Sequence, residues 1–171
     1  MLKRFCNCIL PTRHVGGPDL KWNDINNNIP VFSLAGQTHV AKVVDVYDGD
    51  SIKIVIHLSG TFHKFNCRLS GIDTPEMRSK NLTEKLYAHY VTKKVKEHLL
   101  NQMVIVDCEK FDKYGRLLIW IRVNNPEINI PFNQYIINQE WGIKYDGRTK
   151  KLWSTHLEQN PQLMRLKGVI P

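Results

Sequence analysis

Arg68, Asp73 and Glu76 fall inside one nine-residue run, Arg68-Leu69-Ser70-Gly71-Ile72-Asp73-Thr74-Pro75-Glu76. The run starts with strand alternation, which sends Arg68 and Leu69 to opposite faces. It ends as a turn, because Gly71 permits a bend and Pro75 biases Thr74 towards extended backbone. Two acids beside an arginine on a stiff corner do little for a core. They suit a metal ion and a phosphate. Asp50 closes a second acidic turn, Asp48-Gly49-Asp50. Two carboxylates and a backbone carbonyl are hard oxygen donors, fitted to Ca²⁺ or Mg²⁺ rather than to soft metals. Arg68 and Arg116 each stand beside a turn, and guanidinium forks bind phosphate bidentately. Beside a cation, two of them would neutralise the equatorial oxygens of a phosphorane-like transition state. Glu76 then either takes a proton from water or orients that water. Each piece has a plainer role as well. Asp and Gly are good turn residues, and a single arginine is commonly a surface ion pair.

These residues need elements to hold them. Val40 to Val46 is β-branched and reads as a strand. The Asp-Gly turn follows, then Ile52, Ile54 and Ile56 alternate with Lys53, Val55 and His57. Ser59-Gly60 makes the next turn, and Phe65, Cys67 and Leu69 mark a third strand. Asn81 with Glu84 marks a helix start of the capping-box kind. Tyr87, Ala88, Val91, Val95 and Leu99 form its apolar stripe, with Lys85, Lys93, Lys94 and Lys96 largely off it. Met103 to Cys108 and Leu117 to Val123 are two further strands. Pro131 suits the first turn of another helix, with Gly142 as its stop. The order β-β-β-α-β-β and then helix predicts an α+β, mainly β domain. It is a five-stranded OB-fold barrel with two or three helices, whose closure removes exposed edges.

The chain has 171 residues, enough for one domain and a tail. Residues 1–36 read as a partly irregular N-terminal extension, and 37–171 as the domain. Lys and Arg number 24 against 16 Asp and Glu, a net charge of +8 that favours an anionic partner, nucleic acid first. The four cysteines make no C-x-x-C pair, so neither a disulfide framework nor a zinc knuckle is expected. Cys67 and Cys108 read as buried thiols. Cys6 and Cys8, beside Lys3 and Arg4, form a candidate acylation site for a membrane tether. The apolar start is too short for a signal peptide, and no stretch reaches transmembrane length. The expected location is intracellular and cytoplasmic, with a membrane-anchored variant if Cys6 and Cys8 are acylated. None of the seven histidines falls inside the motifs, which disfavours a histidine-based nuclease.

Asp48-Gly49-Asp50-Ser51, Arg68 to Glu76, and Asp112-Lys113-Tyr114-Gly115-Arg116, in that order, resemble the staphylococcal nuclease (thermonuclease) family. Trp141 to Gly147 is similar to a later stretch of that family, and the likeness runs over residues 38 to 153. The resemblance implies an OB-fold phosphodiesterase that uses Ca²⁺ to cut single- and double-stranded DNA and RNA, leaving 3′-phosphate ends. Asp50, Asp73 and the Thr74 carbonyl match the family's metal ligands. Arg68, Glu76 and Arg116 match its catalytic positions, and Asp48 an acid near the metal. Lys113, Tyr114 and Tyr145 match residues lining the nucleotide site, where a base can stack on a phenol ring without sequence preference. A monomer is expected. The chain departs from the pattern in three places. Ser51 replaces the usual threonine, the segment before the first helix is shorter, and Asn160-Pro161 interrupts the region of the family's long last helix. Two other readings stand beside the enzyme. One is an inactive OB-fold module that binds nucleic acid or protein. The other is a basic adaptor held at a membrane through Cys6 and Cys8.

Overall fold

The computed structural model describes residues 25–149 and 152–169. The acylation expected at Cys6 and Cys8 lies outside the described residues. The chain divides into two units, 1–32 and 33–171. Of the first, residues 25–32 are exposed and make a turn in which the Ile29 N–H donates to the Asn26 carbonyl at 3.2 Å.

The second unit runs β1 (Thr38–Val46), β2 (Ser51–Leu58), β3 (Thr61–Leu69), β4 (Ile72–Asp73), α1 (Leu82–Leu99), β5 (Met103–Phe111), β6 (Leu117–Val123), α2 (Phe132–Asn138), β7 (Ile143–Lys144), α3 (Trp153–Gln159) and α4 (Gln162–Leu166). The five long strands close a barrel in the order β1-β2-β3-β6-β5. Hairpins join β1 to β2 and β2 to β3, as the tight turns between them require, while β3 meets β6 in parallel. The interior holds the alternating residues read from sequence, Ile52, Ile54 and Ile56 and then Cys67 and Leu69, while Phe65 is only partly buried against them; Leu117, Ile119 and Ile121 of β6 are buried beside them. In β1 strict alternation would put Val43 and Val46 on opposite faces. A register shift between Val43 and Asp45 turns both inward, as a bulge does. Cys67 and Cys108 are buried free thiols, and burial pushes both above the usual thiol range.

In α1 the Asn81 side chain accepts the Glu84 N–H at 2.9 Å, and Tyr87, Ala88, Val91, Val95 and Leu99 are buried. The cap is one-sided, because the Asn81 N–H goes to Ser79 Oγ at 3.2 Å rather than to Glu84. Pro131 stands at the N-cap of α2. The stop expected at Gly142 falls earlier. Gln139 caps the helix and Glu140 takes the left-handed conformation at φ 61, with its own N–H on the Ile137 carbonyl at 2.9 Å. Asn160-Pro161 separates α3 from α4, since proline cannot donate into a continuing helix. Trp153, Leu157, Leu163 and Met164 of these two short helices are buried in the core.

Two small features aim the Arg68–Glu76 run. The β4–β7 ladder pairs Ile72 with Lys144 and Asp73 with Ile143. Asn133, fully buried on α2, donates from Nδ2 to the carbonyls of Ser70 at 2.9 Å and Ile119 at 3.0 Å, and accepts the Ile121 N–H at 3.0 Å. Its amide sits where β3 leaves β6 and ties the two together, sharing the Ile119 carbonyl with the Ser70 N–H, which donates to it at 2.9 Å.

Candidate active site

Asp48 begins the site as a turn. Its Oδ1 accepts the N–H groups of Asp50 at 3.1 Å and Ser51 at 2.7 Å. Such side-chain bonds to the following backbone make the turn rigid. Asp50 is thereby directed inward and is only 3% exposed. Asp73, at the end of β4, is buried as deeply. The two carboxylates meet at one guanidinium: Arg68 donates from Nη1 to Asp50 Oδ1 at 2.8 Å and from Nη2 to Asp73 Oδ1 at 3.0 Å. Nη2 also reaches the Ile72 carbonyl at 3.3 Å.

Glycines let the backbone segments close on one another. A Cβ on Gly49 would lie 2.7 Å from Val91 Cγ1 and 2.8 Å from Thr74 Cβ and Oγ1. A Cβ on Gly142 would lie 2.8 Å from Ile136 Cγ2 and 3.2 Å from the Asp73 carbonyl oxygen. The Asp73–Thr74 peptide is therefore held between two backbones that approach it without side chains. Gly142 works here as a spacer rather than as a helix stop.

The electrostatics centre on Asp50 and Arg68. The Asp50 carboxyl is raised to about 7, chiefly by burial, which with the Asp48 and Asp73 charges outweighs the pull of Arg68. Burial alone would lower the Arg68 guanidinium, but Asp50 and Asp73 outweigh it and hold it above its usual value. Asp48, Asp50 and Asp73 are thus three buried acids grouped around the part-buried Arg68. The donors are oxygens throughout, which is the right chemistry for Ca²⁺. Among the described residues no group of three or more His, Cys, Asp or Glu side chains converges as a metal cage. The expected set of two carboxylates and the Thr74 carbonyl needs no such cage, and it leaves most of a coordination sphere to water and substrate.

Arg116 stands at the β5–β6 hairpin. Its Nε donates to Asp112 Oδ2 at 2.8 Å, and Asp112 Oδ1 accepts the N–H groups of Tyr114 at 2.8 Å and Arg116 at 2.9 Å. Burial would raise Asp112, but the bonds from Arg116 prevail and hold it below the usual carboxylate range. Tyr114 is 72% exposed, with Lys113 Nζ 5.0 Å and Arg116 Cζ 5.5 Å from its ring centroid. The parallel register pairs Arg68 with Leu118 on the neighbouring strand. Arg116 precedes β6 by one residue and comes two residues before Leu118. Tyr145 is brought in by β7: its N–H donates to the Gly71 carbonyl at 3.0 Å, and its ring centroid lies 5.8 Å from Arg68 Cζ.

Glu76 lies on the loop between β4 and α1 and is exposed. Reasoning from sequence missed a contact of its backbone: the Glu76 N–H donates to Glu84 Oε1 at 3.1 Å. The Asn81-x-x-Glu84 spacing was a signal for a helix cap and carried none for this second role. It also missed Asn133, whose partners are scattered along the chain. Dispersed partners leave no local pattern to read.

Residues 66–155 match the staphylococcal nuclease homologue family. An uncharacterized protein of Methanocaldococcus jannaschii is 31% identical over 142 residues, covering 70% of this chain and 65% of that protein. Thermonucleases are similar too. That of Staphylococcus intermedius is 34% identical, covering 57% of this chain and 55% of its own. That of Staphylococcus hyicus is 33% identical, covering 52% and 51%. The chain thus spans about half to two thirds of the length of these relatives.

Proposed function

The chain belongs to the staphylococcal nuclease homologue family, and from that premise we propose that it is a Ca²⁺-dependent phosphodiesterase that hydrolyses DNA and RNA to 3′-phosphate ends. One observation carries the reading: a single guanidinium, Arg68, bridges the buried carboxylates of Asp50 and Asp73 at 2.8 and 3.0 Å. Two buried carboxylates aimed at one point, with Asp48 fixing the turn behind Asp50, present hard oxygen donors together, as a divalent cation requires.

In this mechanism Asp50, Asp73 and the Thr74 carbonyl hold the calcium ion, and Asp48 fixes the turn that presents Asp50. The ion supplies Lewis-acid stabilisation of the phosphoryl oxygens when bound. Arg68 and Arg116 donate to the non-bridging oxygens as negative charge builds on them, which is where preorganised donors act most strongly. Glu76 accepts a proton from the attacking water or orients it. Tyr114 and Tyr145 give bases flat faces, while Lys113 offers charge to the backbone of the strand. Phosphate contacts carry no sequence information and are offered by single and double strands alike, while ring faces are open to Tyr114 and Tyr145 on single strands.

The test is cleavage of single-stranded DNA by the full chain with Ca²⁺, with EDTA, and with Arg116→Ala. Cutting should need Ca²⁺ and should fall about a hundredfold or more in the variant, in line with the loss of one transition-state donor. A folded protein that binds DNA and cuts nothing under any divalent ion would overturn the enzyme. The inactive binding module would then take its place.

A further inference from the structure

Glu84 is a carboxylate in an expensive place. It is 9% exposed, and among the described residues it makes no ion pair. A charge buried without a partner is normally avoided. As the third residue of α1 it lies where the helix N-terminus favours an anion. A capping-box glutamate would spend that position on the N-cap N–H. Glu84 turns the other way. Its Oε1 accepts the Glu76 N–H at 3.1 Å, and its Oε2 accepts the Ser79 hydroxyl at 2.7 Å. Ser79 closes the unit: its N–H donates to the Glu76 carbonyl at 3.1 Å, and its Oγ accepts the Asn81 N–H at 3.2 Å. The next turns of α1 hold the same loop, with Thr92 Oγ1 3.3 Å from Met77 Sδ.

We infer that Glu84 is a positioning residue for Glu76, fixing the peptide that carries the Glu76 carboxylate so that it meets the attacking water in one place. The inference rests on the nuclease reading. Glu76 itself is exposed on the irregular loop between β4 and α1, and the peptide that carries its side chain sets where that side chain starts. A misplacement of about 1 Å at a reacting group can cost a hundredfold in rate. Both faces of the Glu76 backbone are engaged, its N–H by Glu84 and its carbonyl by Ser79. Ser79 in turn is held by Glu84.

A double-mutant cycle on the full chain tests this, with single-stranded DNA and saturating Ca²⁺. Glu84→Ala should lower kcat about tenfold to a hundredfold, with KM and Ca²⁺ affinity unchanged. In a Glu76→Gln background the same change should lower kcat no further. Equal losses in both backgrounds would make Glu84 a structural residue and overturn the proposal. Should Glu84→Ala fail to fold, Ser79→Ala takes its place in the same cycle, where a loss confined to the parent background supports the clamp and equal losses overturn it. Amide hydrogen exchange reads the contact without activity. The Glu76 N–H should exchange slowly in the parent and faster in Glu84→Gln, and exchange at a free-loop rate in the parent would overturn the clamp. A parent that cuts nothing while its Glu76 amide stays protected would sink the nuclease reading and leave the clamp standing as structure alone.

Discussion

Asp50 is where burial and charge compete most directly. Its carboxyl titrates at about 7 in the folded chain, against 3.8 ordinarily, with burial as the main cause. Between about pH 4 and pH 7 the folded state therefore keeps a proton that the unfolded state has lost. Stability from this group is full below the unfolded value and is lost as pH rises through the folded one. The thermal midpoint of the metal-free protein should fall across that window. Asp50→Asn should flatten the fall and raise the midpoint at about pH 8, while abolishing Ca²⁺ binding. The difference between the two pH profiles isolates this group from the other carboxylates. Calcium must displace the same proton, so affinity in the parent should climb with pH up to about 7. A calcium affinity independent of pH would remove Asp50 from the ligand set.

At the scale of elements, the site depends on backbones that touch. The β4–β7 ladder is two residues long on each strand, and it sets Tyr145 over Arg68 and Gly142 against the Asp73 carbonyl. Gly142→Ala should cost about 1–3 kcal/mol by overpacking against Ile136. It should lower activity as well, because relief of the clash moves Asp73 and Thr74. Denaturant midpoints and calcium-dependent cutting measured on the same variant check both halves. A variant with parental stability would mean that Ile136 and the ladder yield without strain. α1 contributes at this scale too. Its buried stripe seats Val91 against the Gly49 turn, and its first turn holds the Glu76 loop through Glu84.

Across the whole molecule, charge and a closed barrel set what the surface can bind. Net charge is +8, and the cations beside the candidate site include Arg68, Lys113, Arg116 and Lys144. Binding to single-stranded DNA should weaken linearly on a log–log plot against salt, by about 0.7 for each phosphate engaged. Lys113→Ala should take roughly one contact from that slope in a titration without divalent ion. An unchanged slope would put Lys113 off the strand's path. No helix among the described residues is long and apolar enough to cross a membrane.

Much of this was legible in the residues alone because it is local. Alternation in Ile52, Ile54 and Ile56 names an inward face. Asp48-Gly49-Asp50 names a turn, and the stripe from Tyr87 to Leu99 names the buried side of a helix. Each follows from backbone geometry over a few residues, and the family motifs lie on those same stretches. Tertiary structure decided what no short window contains. Asn133 reaches Ser70 across 63 positions, and Arg68 reaches Asp50 across 18. β7 is too short to show alternation, so only its partner β4 makes it a strand. Gly142 reads as a helix stop until Asp73 is seen against it, and Glu84 reads as a cap until the loop folds back onto it. Sequence determines which groups are present and which way each short element faces. The closing of the barrel decides which groups meet, because that depends on packing between segments far apart in the chain.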